Sequence, residues 1–516
     1  MIRPTRRLLA VLAIAALGFT SAACGGGGDG DTAASTDDEA AASREEASSK
    51  RDSREQSRAD SKTEAGDETA GDDTADETGD DTASETNTGQ AQGMAEIRGE
   101  DVDTTADAID AVVTSAIEDL QAFWAEELPA QTGQDYTPIS SAALYSYNED
   151  DPPPACGADG TADYADVAGN AFYCGAGNFV AWDTGELMPD LIRNYGEFTV
   201  AMVMAHEWGH AIQGQLQIDG PTVYLEQQAD CFAGAWGRRI AAGESPTLAL
   251  GAGGLDAALG GMIKFRDEPG TAVADPQAHG SAFDRVRAFQ EGFLNGSAKC
   301  FDYLNNPPPV VELPWNDGAD IEQGGDIPYD EFLPLITDEL SNFYVSLAGG
   351  EFIPPDHLIP YVVGEGEPPS CGSTPLDESA RGQAYFCPDD NTVLFDEEML
   401  RSIHAQIGDL GSATVLATQW AVSAEIQAGL DAELITSDAG MNQRACLTGV
   451  WLASFVNGAE LEGRQLSLSP GDLDEAMAAF IAFAQPDAAD PTHSIAFERV
   501  AFMRNGFVDG VQGCQA

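Results

Sequence analysis

Helical periodicity over residues 107–127 predicts an amphipathic helix near the start of the patterned part of the chain. Prolines at 152–154 mark a loop. Aromatic and β-branched runs at 171–173 and 178–182, joined through a glycine-rich turn, predict a β-hairpin. A helical pattern returns over 198–216 and stops before Asp219-Gly220-Pro221; another follows over 222–241, with Thr222 as its expected cap. A further helix is expected over 282–293, and the proline-rich passage 305–314 reads as a linker. The pattern predicts an α+β class, mainly helical.

After residue 99 the pattern repeats. Asn170-Ala171-Phe172-Tyr173-Cys174 is answered by Gln383-Ala384-Tyr385-Phe386-Cys387, and Ala229-Asp230-Cys231-Phe232 by Arg444-Ala445-Cys446-Leu447. Ala282-Phe283-Asp284-Arg285-Val286 returns as Ala496-Phe497-Glu498-Arg499-Val500. The offset stays at about 214 residues, too long for a solenoid and suited to a duplicated domain. The expected organisation is two tandem copies with a small hairpin each, over 100–304 and 326–516, joined by a linker over 305–325 with contact between the copies.

The cysteines follow the same offset. Setting aside Cys24, each copy holds four, which allow three pairings. The expected set is Cys156–Cys174 and Cys231–Cys300, then Cys371–Cys387 and Cys446–Cys514. Zinc ligation by cysteine is a poor reading, because no close Cys-x-x-Cys pair occurs. An even set of cysteines points instead to disulfides and an oxidising compartment.

The amino terminus agrees with that compartment. Arg3, Arg6 and Arg7 precede an apolar run over 8–17, too short for a standard membrane span. Small residues follow, ending in Ser21-Ala22-Ala23-Cys24. Residues 1–23 resemble a bacterial lipoprotein signal, with Cys24 as the lipidated residue; Ser21 stands where such signals usually carry leucine, and secretion after Ala23 is the alternative. The expected location is the outer face of the cell membrane, held by the lipid. Residues 24–95 are small, polar and acidic with almost no large apolar side chain, so a disordered tether is expected.

Charge excludes some partners. The 516-residue chain carries 87 acidic against 24 basic residues, a formal net charge of −63. Such a surface repels nucleic acid and anionic head groups. Charge alone names no substrate.

The candidate chemistry lies in Ala205-His206-Glu207-Trp208-Gly209-His210-Ala211. His206 and His210, four apart on a helix, project from one face and can hold one metal ion. Glu207 lies one step around, placed to meet a water at the metal's open position. Only six histidines occur in the whole chain, so this spacing around a glutamate is not a chance expectation. A third ligand should come from another helix, and Glu226 and Asp230 offer two carboxylates on one face of the next one. Glu226 is the expected ligand and Asp230 the partner of the far nitrogen of His206, with Asp230 as the alternative ligand.

His-Glu-Trp-Gly-His-Ala-Ile-Gln at 206–213, Leu-Glu-Gln-Gln-Ala-Asp-Cys-Phe-Ala-Gly-Ala-Trp at 225–236, Phe-Tyr-Cys at 172–174 and His-Gly-Ser at 279–281 resemble the neutral zinc metallopeptidases of bacteria. The resemblance covers roughly residues 100–300. It implies a gluzincin-type peptidase acting on peptide or protein substrates, with one zinc in the first copy. His206, His210 and Glu226 would be the ligands and Glu207 the general base that activates the zinc-bound water. Gln227 replaces an apolar residue often found there. The edge around 178–181 is a candidate for pairing with an extended substrate. The alternative is a non-catalytic surface scaffold with structural zinc or none.

Copy two lacks the motif. Ala417-Thr418-Gln419-Trp420-Ala421-Val422 carries no histidine, and Met441 and Ala445 stand at the places of Glu226 and Asp230. His279 is a candidate oxyanion donor, but His493 persists at its place in the copy without the motif, which favours a structural role for both. His357 and His404, with no partners in sequence, are expected at the surface.

Overall fold

Thr105 accepts a hydrogen bond from the Ala108 N–H and starts helix α1 (Ala106–Thr132), which ends at Gly133 in the left-handed region. Its buried face carries Ile109, Val113, Leu120 and Trp124, as the periodicity predicts. The computed structural model describes residues 104–251, 253–364, 369–376, 380–457, 464–484 and 494–515. The signal, Cys24 and the tether lie outside these residues, as does His493. Among the described residues no helix is long and apolar enough to cross a membrane.

The predicted hairpin is part of a three-stranded sheet. β2 (Ala171–Cys174) pairs antiparallel with β3 (Phe179–Asp183), and β1 (Leu144–Tyr147) lies parallel on the other side of β3. β3 is therefore the middle strand and buried along its whole length. The 178–181 edge is not available for a substrate; the free edges belong to β1 and β2. Four-residue β1 pairs with a strand more than thirty residues away, a non-local contact that no local pattern announces.

Besides the one-turn helix Tyr164–Val167, the first half contains helices α2 (Leu187–Tyr195), α3 (Glu197–Leu216), α4 (Thr222–Ala241), α5 (Gly254–Lys264), α6 (Ala282–Asn295) and α7 (Ser297–Asp302). α2, α5 and α7 have no counterpart in the sequence-based expectation. Thr222 is the first helical residue rather than the cap, and its hydroxyl donates to the Pro276 carbonyl. The expected linker crosses the surface of α6, where Asp284 Oδ2 accepts from the Val311 N–H at 3.0 Å; within it, Gly318–Gln323 forms a short helix.

The second half runs in a similar order. After α8 (Tyr329–Leu347), β4 (His357–Tyr361) lies parallel to β8 (Thr392–Asp396), and β7 (Ala384–Cys387) lies antiparallel to it. A two-residue pair, β5 (Ser370–Cys371) and β6 (Thr374–Pro375), sits between. Then come α9 (Glu397–Gln406), α10 (Asp409–Ala428), α11 (Asp438–Val456), α12 (Asp472–Ala482) and α13 (Ile495–Asp509).

Close helix crossings recur in both halves. A Cβ on Gly234 of α4 would fall on the Phe289 carbonyl of α6, and one on Gly449 of α11 on the Met503 carbonyl of α13. Only glycine permits these approaches. Four disulfides join Cys156–Cys174, Cys231–Cys300, Cys371–Cys387 and Cys446–Cys514. The second and fourth close loops of 69 and 68 residues, where a crosslink restricts the unfolded chain most.

One hydrophobic cluster runs from Ile109 in α1 to Phe507 in α13, so the halves share a core. Across it they exchange helix caps. Asp474 of α12 accepts from the Ala282 and Phe283 N–H groups at 3.2 and 2.8 Å, at the start of α6. Asp256 of α5 accepts from Ala496 and Phe497 at 3.2 and 2.9 Å, at the start of α13. Each carboxylate satisfies N–H groups that a helix leaves unpaired at its first turn.

Candidate metal centre

α3 opens after Gly196 and closes at Gln217, a left-handed residue. Between them Val200, Met204, Ala205, Trp208 and Ile212 are buried, which presses the helix into the core along most of its length. Gly209 sets how close α4 can come: a Cβ there would lie 2.8 Å from Ala229 Cα. The glycine between Trp208 and His210 thus brings the two helices together where their polar residues face each other. Burial at this crossing is what holds the histidines against the carboxylates.

Three ligating side chains converge there. His206 Nε2 lies 3.1 Å from Glu226 Oε2 and 3.1 Å from His210 Nε2, and His210 Nε2 lies 3.3 Å from Glu226 Oε1. Ligands about 2.0–2.1 Å from a tetrahedral zinc ion stand about 3.3 Å from one another, and each histidine nitrogen lies at about that distance from the other and from one oxygen of the Glu226 carboxylate. The outer nitrogens are engaged elsewhere: His206 Nδ1 with Asp230 Oδ1 at 2.8 Å, His210 Nδ1 with Gln213 Oε1 at 2.9 Å. Both acceptors favour the tautomer that turns an Nε2 lone pair inward. Two such lone pairs at 3.1 Å repel each other unless positive charge, a shared proton or a metal ion, lies between them. The residues fit zinc.

The electrostatics favour positive charge at this point. Burial disfavours the His206 imidazolium, but Asp230 and Glu226 outweigh it and raise its pKa to about 10. Burial also opposes the Glu226 charge, yet its hydrogen bonds with both histidines hold it well below the usual carboxylate range. Asp230 is 2% exposed and accepts from Arg285 Nε at 2.8 Å and Nη2 at 3.0 Å. That forked pair offsets the cost of burying the carboxylate and lowers its pKa.

Glu207 reaches from the same helix to strand β2. Its Oε2 accepts from the Tyr173 N–H of β2 at 2.7 Å, and burial raises its pKa. β2, an edge strand, thereby faces the centre, and a cavity of about 650 Å³ opens between β2, α3 and α5. Glu207, both histidines, Glu226, Arg266 and His279 line it.

The structure separates the remaining histidines. The side chain of His279 is 53% exposed at the cavity, with Nδ1 3.2 Å from Asp267 Oδ1. His357 is exposed on β4. His404 is half-buried, against the rings of Tyr329 and Phe332, and burial lowers its pKa; it is not a surface residue. Arg285, Gln213 and the Tyr173 N–H were not anticipated as parts of the site. Arg285 lies in Phe283-Asp284-Arg285, which returns as Phe497-Glu498-Arg499 and so marks it as a shared position without revealing its partner.

In the second half, Thr418, Gln419 and Val422 of α10 occupy the positions along the helix of His206, Glu207 and His210. Gln419 Oε1 accepts from the Phe386 N–H of β7 at 3.0 Å, as Glu207 does from Tyr173.

The model of the family described as "Putative neutral zinc metallopeptidase" matches residues 70–303, a span that takes in the whole centre. Among curated proteins the chain is similar to "Uncharacterized protein YpfJ" of Escherichia coli strain K12 and to the protein of the same description from Escherichia coli O6:H1 strain CFT073. Each is 30% identical over 154 residues, which cover 25% of this chain and 52% of the relative. The chain spans about half the length of the curated relatives it matches. No solved structure matches it.

Proposed function

We propose that the part of the chain matching the zinc metallopeptidase family is a working peptidase, with His206, His210 and Glu226 holding one zinc ion. The observation that carries this reading is the convergence of those three side chains beside Glu207 on an open cavity. A bound zinc ion supplies a Lewis acid that acidifies a water molecule and polarises a peptide carbonyl.

The chain's own residues do the rest. Glu207 is anchored through Oε2, which leaves Oε1 to take a proton from the attacking water. The hydroxide oxygen bonds to the carbonyl carbon, the C–N bond breaks, and Glu207 returns the proton to the leaving amine. Although the persistence of His493 favours a structural role, the His279 side chain is exposed at the cavity and tied at Nδ1 to Asp267, which leaves Nε2 to donate to the carbonyl oxygen as negative charge develops there. Asp230 and Arg285 keep the His206 ring oriented. The free edge of β2, rather than β3, is the strand beside which an extended substrate would lie.

The wider reading is an exported protein anchored through Cys24 and held off the membrane by the acidic tether, with a second half descended by duplication that has lost the ligands. Similar sheets, matching disulfides and the Gln419 contact support that descent. Metal analysis with a peptide-library digest tests the function: one zinc per chain and chelator-sensitive cleavage are expected. Bound zinc without cleavage of any library peptide would replace this reading with that of a scaffold. Incorporation of labelled fatty acid, abolished in Cys24→Ser, tests the anchor.

A further inference from the structure

A second group of ligating side chains lies where α10 and α12 meet the segment before α8. Asp326, Asp409 and Glu475 each bring a carboxylate oxygen within 4.8 Å of the other two. Asp326 Oδ1 accepts from the Asp409 N–H at 2.8 Å, Asp409 Oδ2 from Ile327 at 2.9 Å, and Glu475 Oε2 from Leu410 at 3.0 Å. Gly408, at φ +128°, leaves the space that the Glu475 carboxylate fills, since a Cβ there would fall on it.

Helix capping explains part of this arrangement. Asp326 and Glu475 accept from the first N–H groups of α10, as capping carboxylates do. It does not explain the remaining oxygens. Asp409 is 1% exposed, and its Oδ1 has no hydrogen-bond partner. Asp472, on α12 and 2% exposed, accepts from Ser469 through Oδ2 and likewise leaves Oδ1 without one. A buried carboxylate oxygen left unpaired carries its full desolvation cost.

The charges compound that cost. Burial first, then the neighbouring carboxylates, push Asp409 up to about 7 and Asp472 and Glu475 well above their usual range. Arg266 is the cation that acts against this on Glu475. The donors are all oxygen, with neither imidazole nor thiolate, which suits a hard cation and not zinc. Calcium accepts several protein carboxylates in flexible geometry, whereas magnesium dehydrates reluctantly and keeps several waters, so a buried, all-carboxylate cluster suits calcium.

We propose that Asp326, Asp409 and Glu475, with Asp472 beside them, bind one calcium ion that ties the segment before α8 to α10 and α12. It shares no ligand with the His206–His210–Glu226 centre, and it stands or falls independently of peptidase activity.

The test uses the full chain, zinc-loaded and freed of calcium on a chelating resin. Calorimetric titration with calcium chloride at neutral pH should show one site, with a dissociation constant on the order of 1–1,000 μM. Saturating calcium should raise Tm by several degrees. Asp409→Asn and Glu475→Gln should each weaken calcium binding at least tenfold with zinc content unchanged, and Asp326→Asn, at a half-buried position, provides a variant less exposed to misfolding. Without calcium, Asp409→Asn should unfold no earlier than the parent, because it removes a repelling charge. No calcium binding at millimolar concentration, or binding unchanged in all three variants, overturns the proposal. Magnesium binding as tight as calcium overturns the choice of ion.

Discussion

α3 and α10 are both 20 residues long, follow a glycine with positive φ, and bury a tryptophan at the same place, Trp208 and Trp420. Both send a side chain to the backbone of an edge strand, Glu207 to Tyr173 and Gln419 to Phe386. They differ in charge. Around α3 lie two histidines, Glu207, Glu226 and Asp230; around α10 the corresponding places hold Thr418, Val422, Gln419, Met441 and Ala445. The amide makes the same backbone hydrogen bond as the carboxylate, so the architecture does not require the acid. What α3 adds is a set of ionisable groups whose burial is costly and whose spacing suits a metal.

The comparison can be broken by making α3 resemble α10. His206→Thr with His210→Val should have the largest effect, reducing zinc from one per chain to near zero and abolishing cleavage, as read by metal analysis and a peptide digest. If the fold does not need the histidines, the far-UV spectrum of that variant stays that of the parent. Glu207→Gln comes next: zinc content should hold while cleavage falls by about 10²–10⁴-fold, since only the proton acceptor is lost. Cleavage at the parent rate in that variant would sink the mechanism.

Asp230→Asn should be milder, weakening zinc affinity by about 10–100-fold in a competition titration, because the orienting partner of His206 Nδ1 changes while the three ligands remain. Arg285 loses its charge partner in that variant, so some loss of Tm should accompany it.

The smallest effect belongs to the second half. Glu425 is fully buried, and both its oxygens lack hydrogen bonds; Arg444 Nη1 stands 3.6 Å away. Burial raises Glu425 to about 7, against the pull of Arg444. A raised carboxyl contributes stability that is fully present below its unfolded value, about 4.5, and is lost as pH rises through about 7. Glu425→Gln should therefore gain about 1–3 kcal/mol over the parent at pH 8 and nothing at pH 4. Denaturant unfolding at the two pH values reads this; an equal gain at both would show that the carboxyl does not titrate in this range.

Much of the site was legible because it is local. The four-residue spacing of His206 and His210, and of Glu226 and Asp230, places each pair on one helix face whatever the rest of the chain does. The repeated spacing and even count of the cysteines left three pairings per copy, and the structure has the preferred one in both. β1 and the short helices α2, α5 and α7 were not legible, because four to eleven residues carry little periodicity of their own. The substrate edge was misassigned for a related reason: a hairpin read alone has two free edges, and only the distant β1 shows that one of them is covered.

The sequence by itself determined which chemistry the chain can carry, since a helical period converts residue spacing directly into a shared face. Tertiary structure decided which carboxylate meets both histidines, that Arg285 holds Asp230, and that Tyr173 holds Glu207. Those outcomes depend on how closely α3 and α4 approach at Gly209 and on which strand lies at the edge. Both are set by packing between segments far apart in the chain, where distance along the sequence carries no geometric information.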